Sequence, residues 1–344
     1  MKAAIIHAAH DLRIEDAAAQ PVGPRDVAVR VRAGGICGSD LHYFNHGGFG
    51  AIRLREPMIL GHEVAGEVAG IGADVGTVAV GDRVAVNPSL PCGHCRFCLA
   101  GQPNHCADMR FFGSAMRMPH VQGGFRETLV CTEAQAIRVP PGLDLNHAAF
   151  AEPLAVCLHA ARQAGELLGQ RVLVTGAGPI GALMVLVARH AGAAEVVATD
   201  VVDAPLALLA QIGADRVVNV RERPDALHEY GADKGRFDVM FECSGNPAAL
   251  SGALALVRPR GVVAQVGLGG AEATIPLNLI VAKEIALRGS FRFHEEFAWA
   301  VRCIANGAID VAPLLTEIVP LAEAERAFAL AGDRTRAMKV QLAL

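Results

Sequence analysis

The sequence predicts an α/β protein of two domains, one β-rich and one built on a doubly wound parallel sheet, on three observations. Its 344 residues exceed the length of one ordinary domain, which is about 100 to 200 residues. Near residue 149 the texture changes from short alternating strands broken by Gly and Pro to apolar strands separated by helical stretches. After about residue 289 the alternating texture returns and closes in "AMKVQLAL". The first domain is therefore 1–148 with 290–344, and 149–289 is inserted into it.

In chain order, "AAIIHA", "DVAVRVRAGGICGSD", "GEVAGIGADVGTVAVGDRVAV" and "QAIRVPPG" read as strands of the first domain, each bounded by turn residues. In the insert, "RVLVTGAG", helical "PIGALMVLVARHAG", "EVVATD" and helical "APLALLAQIGAD" make successive βαβ units, the signature of a parallel sheet. Later strands are "DVMFECSG" and "GVVAQVGLGG", each ending in the Gly-rich turn expected at the ligand edge of such a sheet. With 52% hydrophobic and 19% charged residues, the chain can bury two cores and is not disordered.

The net charge of -4 is spread without long runs of one sign, which argues against nucleic acid or anionic lipid as partners. No stretch reaches the ~18 apolar residues that would span a bilayer, and the opening "MKAAIIHAAHDLRIED" lacks the pattern of a signal peptide. A cytoplasmic protein is expected. Nine cysteines, an odd number, argue for metal binding rather than a disulfide framework in that compartment.

Cys92, Cys95, Cys98 and Cys106 follow C-x-x-C-x-x-C-x7-C about a lobe at 88–108. Four thiolates at ~2.3 Å close a tetrahedron around zinc and leave no position for substrate, so this site is structural. His94 and His105 could each replace a sulfur, but four cysteines suffice and the histidines read as surface neighbours. A second, open site is read from Cys37 in "GGICGSDLH", His62 and Glu63 in "ILGHEVAGEV", and Glu152 in "AFAEPLAVCLHAA". A carboxylate in so apolar a stretch as the last needs a counter-charge. Cysteine, histidine and carboxylate leave zinc one position for water or an alcohol, as catalytic zinc requires. Asp40 is placed to orient the His62 imidazole.

Gly176, Gly178 and Gly181 form G-x-G-x-x-G in "VLVTGAGPIG", between a strand and a helix that opens with Pro179 and Ile180. This is the context in which the motif carries a pyrophosphate on the helix N-terminus. Asp200 ends the next strand, where a carboxylate accepts the adenine-ribose hydroxyls and repels a 2'-phosphate. The following "VVDAPL" offers no Arg or Lys. NAD is expected, with NADP the less favoured cofactor.

On these motifs, together with "NPSLPCGHC", "CADMRFFGSAM" and "LRGSFRF", the whole chain resembles the zinc-dependent medium-chain dehydrogenases, and Glu152 points to their polyol branch. The resemblance implies a GroES-like catalytic domain, a Rossmann domain, a cleft between them and two zinc ions per chain. It implies that Cys37 and His62 bind the catalytic zinc, with Glu63 and Glu152 bound directly or through water. Ser39 and His42 match the family's proton relay, and Arg292 matches a substrate-side arginine, with Arg110 a second candidate. Two departures stand out: Phe293 where some relatives carry Tyr, and Ala204 near a position often basic. The implied reaction is oxidation of a secondary hydroxyl of a sugar acid, L-idonate to 5-ketogluconate. Oxidation of sorbitol, another hexitol or L-threonine is the alternative within the family, and a homotetramer or homodimer is implied. Two readings from other classes fare worse: a nucleic-acid-binding zinc ribbon conflicts with the negative charge, and a zinc-free quinone reductase would need no metal ligands.

Overall fold

The computed structural model describes residues 1–269 and 272–344. The chain divides into two compact units: Met1–Glu152 with Phe297–Asp333 and Lys339–Leu344, and Pro153–Glu296 with Arg334–Met338. The short segment 334–338, which its neighbours in sequence would assign to the first unit, groups with the second.

The first unit is organised on the strand Asp26–Gly35. Val27, Val29 and Val31 are fully buried while Arg30 and Arg32 are exposed, the period of two expected of a strand covered on one face. Glu63–Ile71 pairs antiparallel along one edge. Thr128–Thr132 and then Lys339–Ala343 pair along the other. Arg83–Val86, Ala136–Arg138 and Leu315–Pro320 extend this sheet. Three chain segments meet at Gly35, since it is the register partner of both Glu63 and Gln341.

The extended stretch is shorter than the sequence suggests. It stops at Gly35, and Cys37 instead caps the helix Gly38–His46. The cause is local: the Asp40 carboxylate turns back to accept the Cys37 N–H at 2.9 Å, the reciprocal half of a capping box.

The second unit is a six-stranded sheet, every neighbouring pair parallel, in the order Arg216–Asn219, Glu195–Asp200, Arg171–Thr175, Phe237–Glu242, Val257–Gln265, Ala286–Gly289. Counted along the chain this is 3-2-1-4-5-6, the doubly wound order that leaves a ligand crevice where the winding reverses at the first strand. Val172, Leu173 and Val174 are completely buried, as a strand covered on both faces requires. Among the described residues no helix is long and apolar enough to cross a membrane.

Candidate active site

The convergence at Gly35 builds the open site in the first unit. One ligand atom each from Cys37, His62 and Glu63 lies within 4.8 Å of the others. Cys37 follows the end of one strand and Glu63 begins the strand paired with it, so sheet register brings them together. His62 and Glu63 are 5% and 1% exposed. Lys339, from the C-terminal strand, donates to the Ile36 carbonyl at 2.8 Å and pairs with Glu63 Oε2 at 2.5 Å. Burial pulls the Lys339 ammonium down, but Glu63, and behind it Cys37 and Glu152, outweigh that and hold its pKa above the usual lysine value.

These residues fit a divalent metal. Burial, reinforced by Glu63, pushes the Cys37 thiol up to about 12. Burial likewise raises Glu152 to about 8, offset in part by His62 and reinforced by Glu63 and Cys37. His62 Nδ1 is buried without a hydrogen bond among the described residues, and the Asp40 carboxylate faces it at 3.8 Å. A zinc ion would take one imidazole nitrogen of His62, hold Cys37 as thiolate and offset the carboxylates. Glu152, 6% exposed at the start of the helix Ala151–Ala164, feels this charge cluster but is not one of the three residues brought together. Asp40 also stands back: its oxygens accept Cys37 N at 2.9 Å and Gly61 N at 3.2 Å, and Oδ1 is 3.8 Å from His62 Nδ1. It fixes the two backbones that carry the ligands.

Ser39 and His42 stand three residues apart on the Gly38–His46 helix, hence on one face of it. His42 is exposed near Phe49, and partial burial together with His46 lowers its pKa. Arg292, in the second unit, adopts φ 56, a left-handed conformation that costs a non-glycine residue energy. Its guanidinium carbon lies 4.9 Å over the Phe291 ring, while Phe293 is buried.

The four-cysteine lobe is preformed. Cys95 Sγ lies 3.6 Å from Cys98 Sγ and 3.9 Å from Cys106 Sγ, close to the edge of about 3.8 Å that a tetrahedron of ~2.3 Å zinc–sulfur bonds requires. Backbone N–H groups aim at the sulfurs: Cys92 N and Asp108 N at Cys106, and Cys95 N at Cys92. Such donors stabilise thiolates, and backbone N–H groups of Cys98 and Ala107 pull the Cys95 thiol down to about 6. His94 and His105 are exposed, and a ring nitrogen of His94 is engaged with the Cys92 carbonyl at 2.8 Å.

In the second unit the strand Arg171–Thr175 runs through the glycine turn into the helix Pro179–His190, with Pro179 and Ile180 as its first residues. Gly176 has φ 93, and a Cβ on it would lie 2.7 Å from the Ser244 nitrogen. A Cβ on Gly181 would meet the Gly176 carbonyl oxygen at 1.8 Å, so helix and turn touch. At Gly178 a Cβ would meet nothing within 4 Å, which leaves the helix N-terminus open to a pyrophosphate. The residues fit a dinucleotide. Asp200 ends the adjacent strand, but a cation does reach it: Arg334 Nη2 donates to Oδ2. The stretch after Asp200 carries no cation, so nothing local announces this one, which comes from the far end of the chain.

Comparison with known proteins accords with both sites. Residues 23–141 match the alcohol dehydrogenase GroES-like domain, and residues 179–306 match the zinc-binding dehydrogenase family. The chain is 49% identical to the L-idonate 5-dehydrogenase (NAD(P)(+)) of Escherichia coli strain K12 over 91% of its own length and 90% of the relative's. It is 37% identical to the sorbitol dehydrogenase of Bacillus subtilis strain 168 over 95% and 92% of the two chains. The crystal structure of L-idonate 5-dehydrogenase from Escherichia coli K-12 superposes with a TM-score of 0.96 at 45% identity, covering 100% of this chain and 98% of that one. This chain therefore belongs to the zinc-binding, NAD(P)-dependent alcohol dehydrogenases that join a GroES-like domain to a Rossmann domain.

Proposed function

We propose that this chain oxidises a secondary hydroxyl of a sugar acid, converting L-idonate to 5-ketogluconate with reduction of NAD(P). The observation that carries the chemistry is the Cys37–His62–Glu63 set, its ligand atoms within 4.8 Å of one another and its histidine and carboxylate buried. The substrate rests on likeness to the Escherichia coli relative named for that acid.

Cys37 and His62 would hold the zinc, with Glu63 or Glu152 as a further ligand, directly or through water. When bound, zinc supplies a Lewis acid that lowers the pKa of an attached hydroxyl, as it lowers that of water from about 15.7 to about 7. Ser39 accepts the hydroxyl proton while releasing its own toward His42. His42, exposed and with its pKa lowered, is neutral near pH 7 and passes that proton to solvent. Gly178 leaves room for the pyrophosphate of the dinucleotide, which supplies the hydride acceptor.

Following NADH formation with L-idonate, D-gluconate, sorbitol and L-threonine should give the highest kcat/KM with L-idonate. A preference for sorbitol or L-threonine would overturn the substrate assignment while leaving the dehydrogenase intact.

The chain forms a homodimer or homotetramer in this reading. Among the described residues the edge strand Ala286–Gly289 has a partner on one side only, and Leu287 on it, with Leu277 and Val281 on the helix Leu277–Lys283 that precedes it in the chain, are 41%, 62% and 69% exposed. Such an apolar edge is a pairing surface. The apolar "GVVAQVGLGG" stretch precedes it in the chain, and its last residue, Gly270, lies outside the described residues. Light scattering at micromolar concentration should return a multiple of the 35.9 kDa chain mass; a monomer mass would refute the assembly.

A further inference from the structure

We propose that Arg334 is the residue that reads the adenosine 2' position of the dinucleotide, engaging the 2'-phosphate when NADP is bound. The inference rests on reading the Gly176 turn as that site, and it concerns a charged contact there that the motif does not contain.

The Asp200 carboxylate is fully engaged. Oδ1 accepts Val201 N at 2.7 Å and Val202 N at 3.1 Å, while Oδ2 accepts Ala177 N at 2.6 Å and also Arg334 Nη2. Three of these donors belong to the backbone of the two loops that frame the site and cannot leave without moving it. The fourth is a long side chain. The Asp200 side chain is 4% exposed and that of Arg334 47%, so the guanidinium lies over the carboxylate and presents the more accessible surface.

The two cofactors meet this pair differently. A ribose 2'-hydroxyl, as a donor to Asp200, has to compete with Arg334 for Oδ2. A 2'-phosphate is an acceptor: it can engage the guanidinium fork and leave every bond to Asp200 in place. Charge points the same way. Asp200 alone would repel a phosphate, whereas the Asp200–Arg334 pair is neutral overall and turns its cationic member toward solvent. Arg334 belongs to the short segment 334–338 that groups with this unit rather than with its chain neighbours. The obvious competing role is to anchor that segment.

The test is direct binding. Dissociation constants for NADH and NADPH would be measured by nucleotide fluorescence for wild type, Arg334→Ala and Arg334→Lys, with the melting temperature of each. Wild type is expected to bind both. Arg334→Ala should weaken NADPH by at least about tenfold, the low end for loss of a charge-assisted hydrogen bond, and shift NADH by less than about threefold or tighten it. Arg334→Lys should recover most of the NADPH affinity. Equal losses for both cofactors with a lowered melting temperature would make Arg334 an anchor and overturn the proposal, as would unchanged affinities or a wild type blind to NADPH. A wild type that bound neither nucleotide would refute the dinucleotide site as well.

Discussion

Gly35→Ala, a single methyl at a residue that touches no reactant, is expected to lower kcat by about 10²-fold, the cost of misplacing a reacting group by ~1 Å. A Cβ at Gly35 would lie 2.1 Å from Glu63 Oε2 and 3.1 Å from both Glu63 Cβ and Lys339 Cε. Neither neighbour has room to yield, since Glu63 and Lys339 are 1% and 3% exposed. The methyl therefore pries at the ion pair that holds one candidate ligand in place. Breaking a buried pair costs about 3 to 5 kcal/mol, so the melting temperature should fall as well. Lys339→Met, which strands the carboxylate without adding bulk, should reproduce the loss of stability. Wild-type turnover and melting temperature in Gly35→Ala would show that the close packing around Glu63 does not position the site.

Arg292→Ala is expected to lower kcat/KM for L-idonate by about 10²-fold or more while affecting neutral polyols far less. An unpaired carboxylate in a closed site is costly, and losing its charge-assisted partner costs ~2 to 5 kcal/mol. The structure adds a reason to favour Arg292 over Arg110. Its backbone is held at φ 56 with the guanidinium against Phe291, and strained conformations are maintained where geometry matters to function. Arg110 is an exposed residue in a two-residue strand. Equal losses on acid and polyol would remove Arg292 as the carboxylate reader.

The parts of this molecule that could be read from sequence are those whose chemistry is local. The four-cysteine spacing is such a part, because its ligands come from one loop and need only short turns between them. The glycine turn is another: Gly176, Gly178 and Gly181 have distinct steric roles that follow from strand, turn and helix alone. Cys37 and His62 could be proposed from residue type, although their meeting depends on sheet register. What stayed hidden was carried by distant segments. Lys339 reads as an unremarkable strand residue, and its burial against Glu63 exists only because the last strand pairs with Asp26–Gly35. Gly35 reads as a strand-end glycine, whereas its lack of a side chain makes room for that pair. Arg334 lies 134 residues from Asp200, beyond any window in which a motif is sought. The helix at Cys37 is hidden for a smaller reason: Asp40 caps it, and an Asp five residues past the strand end at Gly35 carries no alternation signal.

Two zinc ions per chain are expected, one enclosed by the four-cysteine lobe and one open for chemistry at Cys37, His62 and Glu63. Elemental analysis of freshly purified wild type and Cys37→Ser protein, with turnover measured on the same samples, tests this most directly. Two zinc ions per wild-type chain should fall to one in Cys37→Ser, with turnover lost, the fold intact and the Cys92, Cys95, Cys98 and Cys106 lobe still filled. One zinc or fewer in the wild type, or a variant that keeps both ions and its activity, would contradict the account.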